Sequence, residues 1–243
     1  MADAPFVTCI MPTRNRHASA ARAVARFEAQ DYDRRELLIV DTSRRPLEVG
    51  SRHRVRVLRP ARRLSVGAAR NLAVDFARGD VIAHWDDDDW AAPGRISAQV
   101  AALRRSGRAV CGLRAPLYYR PQRGDAFRYE PLAGDPAYLA GATLLYSRQA
   151  WRQTPFPDLS IGEDTEFVRA QPAGSLLPLA DSGWYLGIIH GGNTAPKLLT
   201  DARFRPVPSQ EATERLGEDR AYYLSLRREY AARRLGYRCV PSQ

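Results

Sequence analysis

The sequence predicts an α/β fold: a mainly parallel sheet with helices on both faces, followed by a C-terminal helix. Three observations carry this. Short apolar runs alternate with longer stretches of helical period through the first half of the chain. The apolar runs are continuous, as expected of strands covered on both faces. Marked polar segments follow three of these runs, where such sheets place their ligands.

Phe6–Met11 reads as the first buried strand, broken by Pro12-Thr13-Arg14-Asn15-Arg16. Residues from Ala18 to Ala29 are alanine-rich with spaced apolar positions and read as a helix. Leu37–Val40 is a second strand ending at Asp41, and Val55–Leu58 a short third. Gly67 to Ala77 reads as a helix with Ser65 as its cap. Val81–Trp85 is a fourth strand that runs into Asp86-Asp87-Asp88-Asp89. Pro93 marks the start of a helix reaching about Arg105, and Ala109–Cys111 resumes as strand.

The second half is less regular. Residues 114–140, rich in proline, glycine and tyrosine, read as a hairpin or loop-rich insertion. Ala142–Tyr146 is a further strand, Gly162 to Ala170 a short helix, and Leu176-Leu177 and Tyr185–Ile189 closing strands. Glu211 to Leu235 reads as one long helix, with Leu216, Tyr223, Leu226 and Tyr230 on one face and arginines on the rest. With no repeat and no clear linker, one domain over 1–243 is expected. Residues 1–113 would form one half, 114–210 a second, and 211–235 the terminal helix.

Composition narrows the class. A 44% hydrophobic and 26% charged chain is ordinary for a globular protein, which excludes disorder as a reading of the whole. The net charge is +10, and Lys197 is the only lysine among 37 basic residues. Such a charge suits anionic partners or a solvated basic shell. No basic stripe interleaves with aromatics and no nucleic-acid-reading motif is present, so nucleic acid is not expected as a partner. Cys9, Cys111 and Cys239 lie far apart, which suits a reducing cytoplasm, with core packing for the first two. No run approaches the ~20 apolar residues of a membrane span, and the start has no signal-peptide pattern.

Four consecutive aspartates repel one another and need compensation. A hard divalent cation supplies it, since carboxylate oxygens suit Mg²⁺ and Mn²⁺. Strand alternation would point Asp86 and Asp88 one way and Asp87 and Asp89 the other. A solvated acidic turn before the Pro93 helix is the alternative. The position after an apolar strand favours the metal site.

These motifs resemble the family 2 glycosyltransferases of the GT-A (Rossmann-like) fold. Gly79 to Asp89 is similar to that family's strand into its Asp-x-Asp motif. Met11 to Arg16 is similar to its opening strand and base-holding loop, Leu38 to Asp41 to its second strand, Gly67-Ala68-Ala69-Arg70-Asn71 to its helix start near the nucleotide, and Gly162 to Phe167 to its Glu-Asp base motif. The five motifs cover roughly residues 6–196. One departure stands out: Thr42-Ser43 follows Asp41 where the family often has Asp-Asp-Gly-Ser.

The resemblance implies an inverting enzyme that takes a nucleotide-sugar, UDP-linked by default, with Mn²⁺ or Mg²⁺. It implies Asp88 as direct metal ligand, with Asp86 assisting or meeting ribose, and Asp89 at the donor sugar. His190, at a strand end before two glycines, either completes the metal shell or is structural. Pro12, Thr13, Arg14, Arg16, Asp41, Arg70, Asn71, Asp86 and Asp87 are the expected donor contacts. Asp164 is the expected general base, with Glu163 raising its pKa or orienting it. A helix-dipole role for these acids is the plainer reading. The acceptor is left open as a carbohydrate, lipid-linked or small molecule. The C-terminal helix either packs on the core or rests on anionic lipid at the inner face of the membrane. The rival readings are a non-catalytic nucleotide-sugar or glycan-binding protein on the same fold, and a nucleotidyltransferase. The latter would be expected to show a glycine-rich loop where Pro12 to Arg16 has no glycine.

Overall fold

The computed structural model describes residues 4–172, 174–181 and 183–225. The first half contains β1 (Val7–Thr13), α1 (His17–Glu28), β2 (Arg35–Asp41), β3 (Val55–Leu58), α2 (Val66–Phe76), β4 (Val81–His84), β5 (Trp90–Ala91), α3 (Arg95–Ser106) and β6 (Val110–Leu113). Then come β7 (Leu117–Arg120), β8 (Asp125–Tyr129), β9 (Leu145–Ser147), α4 (Arg148–Gln153), α5 (Glu163–Arg169), β10 (Leu176–Leu179), β11 (Tyr185–Ile188), β12 (Phe204–Val207) and α6 (Ser209–Leu216).

Among the described residues, seven strands form one sheet in the order β10-β6-β9-β4-β1-β2-β3. All its pairings are parallel except those of β9, which runs antiparallel between β4 and β6. Its two faces are read directly from the strand period. Val7, Cys9, Met11, Leu37 and Ile39 face α1 and α3, while Ile10, Leu38 and Val40 face α2 and α5. Local signals set the helix ends. The Ser65 hydroxyl accepts from the Ala68 amide at 3.0 Å to start α2, and Gly107 (φ 65°) stops α3 in the left-handed region.

The structure departs from expectation in several places. β1 continues through Pro12 to Thr13, because its outer residues still pair with β2. Residues 141–143 form a 3-10 turn, so the strand expected over 142–146 is shortened to β9. The 114–140 segment contains the β7–β8 hairpin, which joins a second sheet in the order β12-β8-β7-β11-β5. That second sheet, with α4 and β12, was not anticipated.

The expected long C-terminal helix is broken. α6 ends at Gly217 (φ 49°), a 3-10 turn covers 217–219, and 220–225 are helical again. Leu216 and Tyr223 bury against Leu117 and Leu186 of the second sheet. The Trp90 indole donates to Asp219 at 2.8 Å, and Arg22 and Arg26 pair with the same carboxylate. This part of the chain therefore packs on the core. Residues 226–235, with Leu226, Tyr230 and the arginines expected to meet lipid, lie outside the described residues, as does Cys239. No helix among the described residues is long and apolar enough to cross a membrane.

Candidate active site

The acidic run does not extend β4. Residues 86–89 bend between β4 and β5, so strand alternation does not apply and each carboxylate finds its own partners. Asp86 meets Arg70 Nη2 at 3.4 Å. Asp87 is buried and accepts from the Thr13 hydroxyl at 2.6 Å and Arg16 Nη1 at 2.8 Å. Asp88 Oδ2 accepts from Arg16 Nη1 at 2.8 Å, His190 Nε2 at 2.9 Å and Asn193 Nδ2 at 3.3 Å. Asp89 accepts from the Tyr185 hydroxyl at 2.6 Å and the Ile188 amide at 2.8 Å.

These partners sort the four electrostatically. Burial and the adjacent Asp88 charge push the Asp87 carboxyl up to about 6, against Arg16 and Thr13. Burial and the Asp88 and Asp86 charges push Asp89 well above the ordinary range. Burial acts on Asp88 too, but His190 and Arg16 outweigh it and hold its pKa below the usual value. Asp88 is thus the member of the run held most firmly as an anion. Asp89, expected at the donor sugar, instead has both oxygens committed to β11.

At Asp88 the donor set suits a divalent cation: a carboxylate oxygen and an imidazole meet at 2.9 Å. The Gly192 amide donates to His190 Nδ1 at 3.0 Å, which leaves the ring proton on Nε2. A cation at Nε2 would have to displace that proton. Asp86, expected to assist there or to meet ribose, faces Arg70 and lines the same lobe as Asp88. Among the described residues no three His, Cys, Asp or Glu side chains form a metal cage. The arrangement fits an ion that takes its remaining ligands from phosphate and water, as Mg²⁺-type ions do.

Across the cleft, α5 opens with Glu163 and Asp164. Glu163 is buried, and its carboxylate pairs with Arg70 Nη1. Arg70, itself 4% exposed, therefore ties α5 to the acidic bend through Asp86. Burial pushes Glu163 upward and Arg70 opposes it. Asp164 Oδ1 accepts from the Thr165 amide at 2.7 Å, and Oδ2 lies against Gly141. The Gly141 carbonyl accepts from His84 Nδ1 at 2.7 Å, and His84 Nε2 faces the Tyr146 hydroxyl at 3.3 Å.

Two connected lobes form one cleft, sharing Pro12, Arg16, Val66, Asp87, Ser160 and Thr194. The acidic lobe, about 310 Å³, holds Asp86, Asp88, Asp164 and Arg70. The basic lobe, about 380 Å³, is lined by Arg14, Arg16 and Arg63, with Thr13. Both volumes suit small-molecule ligands. Asn15, at φ 54°, clips this lobe together: its amide donates to Ser43 Oγ at 2.6 Å and its Oδ1 accepts from the Arg44 amide at 2.9 Å.

Two expected donor contacts line neither lobe. Asp41 is 1% exposed; its oxygens accept from the Ser43 and Leu47 amides, each at 2.8 Å, and from Arg59 at 2.7 Å. The loop that lacks the family's Gly-Ser folds back over it. Asn71 points away from the cleft: its Oδ1 accepts from the Trp151 indole at 2.8 Å and the Phe156 amide at 3.0 Å, and its Nδ2 donates to the Phe156 carbonyl at 2.8 Å. The sequence reading missed Arg63, Tyr118, Tyr138, Asn193 and Lys197 on the cleft walls. Only Asn193 carried a signal, in the His190-Gly191-Gly192-Asn193 turn. The others arrive through the unforeseen second sheet and through loops.

The family model for glycosyl transferase family 2 matches residues 8–152. The putative colanic acid biosynthesis glycosyl transferase WcaA of Escherichia coli K12 is 35% identical over 108 residues, covering 42% of this chain and 39% of that protein. An uncharacterised Sinorhizobium fredii protein, y4gI, is 35% identical over 130 residues, covering 49% of this chain and 14% of its own length. The chain thus spans well under two thirds of either relative. Among solved structures, S. aureus TarS with UDP-GlcNAc is similar at TM-score 0.54 and 14% identity, over 77% of this chain and 60% of that one. The mannosyltransferase PcManGT of Pyrobaculum calidifontis, with GDP-Man and Mn²⁺, is similar at TM-score 0.54 and 15% identity, over 99% and 78%. At such identities the likeness to both is one of fold.

Proposed function

We propose that this chain, which belongs to glycosyl transferase family 2, is an inverting, metal-dependent glycosyltransferase, a reading its relative WcaA supports. It would move a sugar from a nucleotide-sugar, UDP-linked by default, to a hydroxyl acceptor. The observation that carries this reading is the convergence of Asp86, Asp88 and Asp164 on one lobe beside a second lobe lined by arginines. The bound ligands of the two structural neighbours, UDP-GlcNAc with one and GDP-Man and Mn²⁺ with the other, support it.

Residues 1–113 would supply the donor half and 114–210 the acceptor half. The basic lobe would take the nucleotide, with Pro12 among its lining residues and Arg14, Arg16 and Arg63 to meet the phosphates. A divalent cation held by Asp88 and His190 would neutralise the charge that develops on the departing diphosphate. Arg16 pairs with Asp87 and Asp88 and lines both lobes, so its cationic group would offset the carboxylates and also face the phosphates. Asp164 takes the proton of the acceptor hydroxyl as that oxygen attacks the anomeric carbon. Attack comes from the face opposite the diphosphate. The carbon–oxygen bond to the β-phosphate breaks, and its electron pair leaves with the nucleotide. Glu163 acts through Arg70, which holds Asp86 and the start of α5 in register.

Calorimetric titration with a panel of nucleoside diphosphates, with and without Mn²⁺, tests the donor half. Metal-dependent binding of one nucleotide, lost in Asp88→Ala, is the expected result and names the base. Absence of binding to every nucleotide under both conditions would sink the proposal. Asp164→Asn tests the base: it should abolish transfer and leave nucleotide binding intact, and near-normal turnover would remove Asp164 from the mechanism.

A further inference from the structure

The acidic lobe has a wall that the donor reading does not use. Tyr118 of β7, Tyr138 and Lys197 line it beside Asp164. The two tyrosines lie close enough to influence one another's phenol groups, and Tyr118 feels the Asp164 charge. Both tyrosines are braced from behind. Tyr129 packs on Tyr138 with ring centroids 4.5 Å apart, and Phe204 packs on Tyr118 at 5.8 Å. A Cβ on Gly187 would fall 2.4 Å from the Tyr118 ring, so the close approach of β11 fixes that ring. The wall is therefore rigid before any ligand arrives, which lowers the entropy cost of binding.

Lys197 is the only lysine of the chain, and its Nζ lies 5.3 Å from the centre of the Tyr118 ring. It is exposed, and among the described residues it forms no ion pair. The other charged side chains of this lobe on the Asp164 side are carboxylates, apart from Arg70, which is committed to Glu163 and Asp86. A cation without a carboxylate, on an aromatic wall beside the base, is placed to receive an anion carried by the group that Asp164 deprotonates. Tyrosines offer apolar faces and polar tips, the combination a sugar ring requires.

Resting on the glycosyltransferase reading above, we propose that Tyr118, Tyr138 and Lys197 form the acceptor subsite, and that the acceptor is a sugar ring bearing a carboxylate or phosphate near its accepting hydroxyl. The test uses saturation-transfer NMR on the whole chain with saturating nucleoside diphosphate and Mn²⁺. The probes are methyl β-glucuronide, glucose 6-phosphate and methyl β-glucoside. At least one charged probe should bind about tenfold tighter than the neutral one. Lys197→Met should erase that preference while the nucleotide titration is unmoved. The uronate and phosphate arms report which anion is read.

Equal binding of charged and neutral probes, binding of none of them while the nucleotide binds, or a preference that survives Lys197→Met would each overturn the proposal. So would weakened nucleotide binding in Lys197→Met, which would assign the lysine to the diphosphate. Failure of the unsubstituted protein to bind any nucleotide is a different result, and it strikes the glycosyltransferase mechanism itself.

Discussion

The Asp164 carboxylate rests on the α-carbon of Gly141: a methyl group added there would lie 1.5 Å from Oδ2. Gly141 → Ala must therefore push the proposed base out of place. Displacements of about 1 Å at a reacting group cost on the order of a hundredfold in rate. Transfer by Gly141→Ala should fall by at least that factor, with nucleotide affinity within about twofold of the parent. A variant with full activity would show that Asp164 is not held by this contact.

Arg70 joins two acidic groups across the cleft, and it is buried with Glu163. Removing it leaves the Glu163 carboxylate without its cation, a change that costs about 3–5 kcal/mol at buried pairs. Arg70→Met should show that loss in urea unfolding. The double variant Arg70→Met/Glu163→Gln should recover a substantial part of it, because the stranded charge is gone. Equal stability of the single and double variants would place the cost elsewhere.

Asn71 makes three hydrogen bonds that latch the 151–156 segment onto α2. Asn71→Leu should destabilise the protein by about 1–3 kcal/mol, the cost of leaving partly buried partners unsatisfied. The folded fraction should bind nucleotide as the parent does. Weakened nucleotide binding without a stability loss would restore the donor contact expected from the sequence.

Asp87 carries a pKa pushed up to about 6 by burial and by Asp88. Its folded pKa lies above its unfolded value, so the folded state holds the proton longer. Its contribution to stability is full below about pH 4 and is lost as pH rises from about 4 to about 6. Asp87→Asn should flatten that part of the stability curve by up to about 3 kcal/mol. Denaturant titrations at closely spaced pH values read this, and parallel curves for the two proteins would exclude it.

Cys9 and Cys111 are buried, and burial pushes each thiol up to about 12. Neither should react with iodoacetamide in the folded protein at pH 8, and both should react after unfolding. Peptide mass spectrometry resolves the two sites. Alkylation of either at native rates would mean that the sheet opens locally.

The sequence by itself determined the strand–helix order of the first half and the two faces of its sheet, because continuous apolar strands and helical periods are local patterns. It also singled out the candidate groups that the structure brings to one cleft: the acidic run at a strand end, Arg16, Arg70, and Asp164 at a helix start. Only the tertiary structure decided how those groups are shared. Asp86 to Asp89 look equivalent along the chain, yet residues 96 or more positions away, from Tyr185 to Asn193, give Asp88 and Asp89 partners of their own. Asp41 and Asn71 carry the right side chains in the right motifs, but burial with hydrogen bonding commits the first to the fold and hydrogen bonding the second. The wall of Tyr118, Tyr138 and Lys197 was unreadable for the same physical reason. Its members come from a strand of a second sheet and from two loops, and only long-range pairing brings them beside Asp164.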